Sequence, residues 1–140
     1  MQIEVKRLHP DTILPKYALS DDAGMDLFSL AEYTIGPGEL CRVETGVALN
    51  IPSGYAGLIW DKGGMSLKMI KTVGGVFDAG YQGDLTIGLV NLGKVSYTIE
   101  KGSKVAQILI QKVEHPELVE VKDFPPSERG VSRYGSTGEK

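Results

Sequence analysis

The residues from Arg129 to Lys140 carry almost no apolar bulk and are rich in groups that hold phosphate. Glycines such as Gly135 let backbone N–H groups approach an anion. The hydroxyls of Ser136 and Thr137 add donors, and the Arg129 guanidinium offers a fixed fork that matches phosphate oxygens. Tyr134 supplies a ring that can stack on a base. Taken alone, this composition also describes a loose chain end.

Four internal segments share the same character, because Gly, Asp and polar residues interrupt otherwise strand-like runs. They are Ala23-Gly24-Met25-Asp26-Leu27, the stretch 61–68, the stretch 74–84 and Gly102-Ser103-Lys104-Val105-Ala106-Gln107-Ile108. Each has an ordinary structural explanation when read by itself. Asp26 fits a turn, Asp78 between Phe77 and Ala79-Gly80 fits the tip of a hairpin, and Gln107 fits the solvent side of a strand.

The elements that must position these residues are strands. Residues 2–8, 42–51, 97–99 and 104–113 alternate polar and apolar, each bounded by Gly, Pro or Asn, which predicts a compact all-β sandwich or barrel. Eighteen glycines and seven prolines supply its turns. The one helix expected is short, over 65–71, with Met65, Leu67 and Ile70 on a shared apolar side. Pro125-Pro126 divides the chain into a β domain over 1–124 and a tail over 125–140.

With 140 residues and 41% hydrophobic content, the chain can bury one core and is short for two domains. A formal charge of −3 argues against a surface that coats nucleic acid, so any phosphate it binds belongs to a small molecule. A single cysteine, Cys41, excludes an internal disulfide framework and a cysteine metal cluster. No apolar run is long enough to span a bilayer, and the expected compartment is the cytoplasm. His9 and His115 flank prolines and read as structural or solvent-facing.

Taken in order, the five segments resemble the five motifs of the trimeric dUTPase family, the dUTP nucleotidohydrolases. The sequence reads AGMDL at 23–27, GVFDAGYQG at 75–83, GSKVAQ at 102–107 and RGVSRYGSTG at 129–138, and the resemblance spans nearly the whole chain. It implies a jelly-roll-like β domain of the β-clip type, assembled as a homotrimer with its active sites at the subunit interfaces. The implied reaction is hydrolysis of dUTP to dUMP and pyrophosphate by in-line attack of water on the α-phosphorus, with Mg2+ on the triphosphate.

By the same resemblance, Asp78 orients the water and Tyr81 packs under the deoxyribose. The hairpin backbone at Gly75, Val76 and Gly83 reads uracil, and Lys62, Gly63, Gly64 and Gln107 contact phosphates. Asp26 holds Mg2+ through a water. The tail closes with Tyr134 on the base and Arg129, Gly135, Ser136 and Thr137 at the phosphate end. Each site is shared among three chains: the Asp78 hairpin from one, the Asp26, Lys62 and Gln107 group from a second, and the tail from a third.

Two departures mark this chain. Lys62-Gly63-Gly64 stands where most relatives carry Arg-Ser-Gly, which keeps the charge, loses the bidentate fork and removes a hydroxyl near the bond to be cut. Ser132 and Arg133 replace the usual glycine pair of the tail. Two other readings compete. A dCTP deaminase shares much of the third motif, but its catalytic glutamate would fall on Gly88. A regulatory module would grip nucleotide with weak or no turnover, since fold does not dictate function.

Overall fold

The computed structural model describes residues 1–131. Its elements are β1 (Glu4–Arg7), β2 (Met25–Phe28), β3 (Tyr33–Ile35), β4 (Leu40–Val43), β5 (Val47–Asn50), β6 (Tyr55–Trp60), α1 (Gly63–Ser66), β7 (Ile70–Val73), β8 (Val76–Phe77), β9 (Ile87–Asn91), β10 (Tyr97–Ile99) and β11 (Lys104–Lys112). The all-β class expected from the alternation is therefore what forms. Among the described residues no helix is long and apolar enough to cross a membrane.

Every strand pair is antiparallel. The strands form two ribbons, β1-β5 and β3-β10, a three-stranded sheet β4-β9-β7, and a four-stranded sheet in the order β2-β11-β6-β8. Alternation places Leu27, Ile35, Val43, Ile70, Leu85, Ile87, Leu89 and Ile108 in one core, each less than 2% exposed. Full burial of such a side chain contributes about 1.5–3 kcal/mol, which is what holds sheets of such short strands together.

Two expectations change. The single run predicted over 42–51 is two strands, because the chain turns at Glu44-Thr45-Gly46, where Gly46 takes a φ of +69°. The helix predicted over 65–71 is one turn that starts earlier, at Gly63. Met69, with a φ of +63°, stops it, and Ile70 and Lys71 already belong to β7. Met65 and Ile70 are buried as expected, but Leu67 projects into solvent.

Beyond β11 the chain is exposed throughout from Glu114 to Val131. The division at 125 falls inside this extended stretch, and Tyr134, Gly135, Ser136, Thr137 and the rest of 132–140 lie outside the described residues.

Candidate active site

Antiparallel register aligns three side chains across the four-stranded sheet. Asp26 of β2 stands opposite Gln107 of β11, which stands opposite Trp60 of β6. Directly opposed residues point to the same face, so one carboxylate, one amide and one ring share a row. Asp26 is thus no turn residue. It is paired on both sides, with β11 and through a backbone bridge to Lys16, and is 2% exposed.

A buried carboxylate needs compensation, and two lysines supply it. Lys62 Nζ donates to Asp26 Oδ1 at 2.5 Å, and Lys104 Nζ lies 2.7 Å from Oδ2. The second contact is a close ion pair without hydrogen-bond alignment, so Oδ2 is buried without an aligned donor. Burial alone would raise the Asp26 pKa, but Lys104 and Lys62 outweigh it and hold the carboxyl below the usual aspartate range.

Lys104 reaches this face through a defect in the ladder. Lys104 opposes Phe28 and Ala106 opposes Leu27, so Val105 is the extra residue of a β-bulge. Strict alternation from Gln107 would turn Lys104 toward the core. The bulge instead leaves Val105 and Ala106 both buried and re-aims Lys104 to the Asp26 side.

The loop carrying Lys62 is fixed from both ends. Gln107 Nε2 donates to the Asp61 carbonyl at 3.0 Å, which corrects the solvent-facing reading of this residue. Asp61 Oδ1 accepts from Thr72 N at 2.8 Å and from Thr72 Oγ1 at 2.7 Å, while Oδ2 pairs with Lys71. Burial works against the Asp61 anion, yet Lys71 and Thr72 keep its pKa lowered. Past Lys62 the chain enters α1 with no side-chain cap, so the amides of Gly63 and Gly64 lie in an open first turn.

Both aspartates titrate lower in the folded than in the unfolded chain. Their stabilisation is complete above the unfolded value and disappears as the pH falls through the lowered folded one. Urea midpoints are therefore expected to hold from neutrality to about pH 5 and to decline below about pH 4. Asp61→Asn should flatten that decline, and an unchanged slope would refute the assignment.

The second group lies on a hairpin. β8 pairs with β6 through Val76 and Leu58, and Ile59 N donates to the Gly75 carbonyl at 2.7 Å. Close approach explains the glycine, since a Cβ at Gly75 would sit 3.0 Å from the Ile59 oxygen. Asp78 follows β8 at an exposed tip closed by Tyr81 N donating to its carbonyl at 3.2 Å. The Tyr81 ring packs against Phe77 with centroids 5.7 Å apart, and its hydroxyl donates to the Asp84 carbonyl at 3.1 Å. Gly83 lies under that ring, where any side chain would collide with it.

The structure thus gathers Asp26, Lys62, Gly63, Gly64 and Gln107 into one group, and Gly75, Val76, Asp78, Tyr81 and Gly83 into another. Asp26 and the Asp78 hairpin follow the two edge strands of one sheet, β2 and β8, three spacings and so about 14 Å apart, while Gln107 lies on β11 and Lys62 follows β6 between them. Arg129 sits in an exposed turn where Gly130 N donates to Ser127, and it contacts neither group among the described residues. A cleft of about 240 Å³ lies elsewhere, against β1 and β5, and meets the hairpin only at Gln82. Sequence reasoning passes over Lys104, Asp61 and Thr72. Lys104 lies within a segment already singled out, but the bulge that aims it leaves no mark in the alternation.

Comparison with known proteins agrees with this fold. A sequence model of the dUTPase family matches residues 11–138. The deoxyuridine 5'-triphosphate nucleotidohydrolase of Mycolicibacterium gilvum is 43% identical, covering 97% of this chain and 94% of the relative. The dUTPase of Staphylococcus bacteriophage 80alpha, solved with dUPNHPP, is 32% identical and superposes with a TM-score of 0.92 over 98% of each chain. A point mutant of the dUTPase from phage phi11 of S. aureus, described with a structural Mg(II) ion, is 29% identical with a TM-score of 0.84, covering 90% of this chain and all of that one. The chain belongs to the dUTPase family.

Proposed function

We propose that the protein is a dUTP diphosphatase that hydrolyses dUTP to dUMP and pyrophosphate, with Asp78 orienting the water that attacks the α-phosphorus. The observation that carries the reading is the buried Asp26 clamped between Lys62 and Lys104 on the face of Gln107. A polyphosphate needs cations and donors at one end, and this cluster supplies them beside the open amides of Gly63 and Gly64.

At the other end, the hairpin offers backbone N–H and C=O groups around Gly75 and Val76 for uracil, and the Tyr81 ring for the deoxyribose. A ribose 2'-hydroxyl would crowd that ring, so selection between sugars is steric. Asp78 at the tip takes up a proton from the attacking water as its oxygen closes on phosphorus.

Asp26 is the buried carboxylate of this cluster, and a hydrated divalent cation would reach it in competition with Lys62 at Oδ1 and Lys104 at Oδ2. Among the described residues no three His, Cys, Asp or Glu side chains converge. One carboxylate with water and nucleotide oxygens is a donor set that suits Mg2+. When bound, the ion would neutralise charge building on the departing pyrophosphate. Asp26 would hold it, with Lys62 and Lys104 sharing the carboxylate.

Asp26 on β2 and the Asp78 hairpin after β8 stand at opposite edges of one sheet, which supports a homotrimer in which Asp78 and Tyr81 of one subunit meet Asp26, Lys62 and Gln107 of another. Closed threefold symmetry makes all three sites equivalent. The tail from Arg129 through Tyr134, Gly135, Ser136 and Thr137 would close the site over the nucleotide.

The deaminase reading meets a steric obstacle. A Cβ at Gly88 would lie 2.7 Å from the Val73 carbonyl oxygen, so the position has no room for a catalytic glutamate. At Gly63, by contrast, an added Cβ would meet nothing within 4 Å. Gly63→Ser is therefore expected to fold normally and to raise kcat about tenfold by restoring a phosphate-directed hydroxyl. An unchanged kcat would show that this chain does not use that donor.

The reading as a whole is tested by pyrophosphate release from dUTP, dCTP, dTTP and UTP with and without Mg2+. Release from dUTP alone, dependent on Mg2+, is expected. Ammonia from dCTP, or tight nucleotide binding without pyrophosphate, would overturn it.

A further inference from the structure

Tyr81 is 46% exposed, and an exposed aromatic side chain is free to swing unless something holds it. Phe77 packs one edge, and the hydroxyl is tied to the Asp84 carbonyl, which also accepts from Thr86 N at 2.8 Å. The position of the ring therefore depends on the position of the Asp84 backbone.

Asp84 is itself fastened to the turn between β4 and β5. Its Oδ1 accepts from Val47 N at 3.2 Å and from Thr45 Oγ1 at 3.1 Å. The same hydroxyl lies 3.0 Å from the Leu85 carbonyl, and Leu85 N donates to the Val47 carbonyl at 2.8 Å. Thr45 and Leu85 are each 1% exposed, so the anchor lies in the core and the ring at the surface. Gly46 continues the chain inward, its carbonyl accepting from Thr12 Oγ1 at 3.0 Å.

We infer that Thr45 and Asp84 are positioning residues that fix the Tyr81 ring and thereby set how strictly the enzyme rejects a ribose. Neither belongs to the groups that would touch nucleotide, and the inference rests on the reading of Tyr81 as the surface under the sugar. Steric rejection of a single hydroxyl requires a wall that does not yield, and a displacement of about 1 Å can cost up to about 100-fold in rate. A ring tethered to a buried threonine is such a wall.

The test compares kcat/KM for dUTP and UTP in the full-length Mg2+-loaded enzyme. Thr45→Val, nearly isosteric, should lower the dUTP-to-UTP ratio about tenfold. Thr45→Ser keeps the hydroxyl and should restore the ratio. Tyr81→Phe, at an exposed position where folding is not at risk, keeps the ring, cuts the tether and should lower the ratio similarly.

Tyr81→Ala separates this inference from the reading beneath it. If Tyr81→Ala leaves the ratio unchanged, the assignment of Tyr81 to the sugar fails, and the positioning role fails with it. If Tyr81→Ala collapses the ratio while Thr45→Val and Tyr81→Phe do not, the assignment stands and the positioning role is overturned. A Thr45→Val protein that melts lower yet keeps full sugar selectivity would likewise make Thr45 purely structural.

Discussion

Asp78→Asn is expected to lower kcat for dUTP by about 10³-fold while affinity for a nonhydrolysable dUTP analogue holds. The carboxylate stands at an exposed hairpin tip and accepts no hydrogen bond among the described residues, so its lone pairs face outward. The turn around it is held by its own backbone, through Tyr81 N on the Asp78 carbonyl, and not by the carboxylate. Asparagine therefore preserves the shape of the tip and removes only the ability to take up a proton. Rapid-quench measurement of dUMP formation separates the two effects. An unchanged kcat would show that another group orients the water, and lost affinity would show that Asp78 binds nucleotide.

Asp26→Asn is the second large perturbation, and it should act on both stability and metal dependence. The substitution leaves Lys62 and Lys104 facing each other across a neutral amide. Removing one partner from a fully buried pair costs about 3–5 kcal/mol. Here both lysine ends reach solvent, so a loss of about 1–3 kcal/mol is expected, read from urea midpoints at neutral pH. Loss of the carboxylate should also lower kcat/KM about 100-fold and raise the Mg2+ concentration needed for half-maximal rate. A variant as stable as the parent with an unaltered Mg2+ requirement would remove Asp26 from the site.

How much of the fold is legible in the chain depends on what each signal registers. The alternation read over 104–113 finds β11 at Lys104–Lys112, although the bulge buries Val105 and Ala106 together and breaks the strict two-residue period. The run 42–51 alternates equally well but breaks, since Gly46 permits a left-handed turn that periodicity does not register. The one-turn helix lies outside its expected span for a related reason. Met65 and Ile70 are buried through two different elements, which a helical period imitates over so short a span.

The site is legible in its residue types, because Asp26, Lys62, Gln107 and Asp78 fall inside recognisable motifs. Its supporting contacts are not. Lys104 is aimed by a bulge, Asp61 is fixed by Thr72 from 11 residues away, and Thr45 reaches Asp84 across 39 positions. Contacts of that kind depend on tertiary register, which no local pattern in the chain encodes.

The central claim is that water attacks the α-phosphorus of dUTP. Hydrolysis in 18O-enriched water, followed by mass spectrometry of both products, tests it most directly. The account predicts the label in the phosphate of dUMP, with pyrophosphate unlabelled. Label in the pyrophosphate would place the attack on the β-phosphorus and contradict the account.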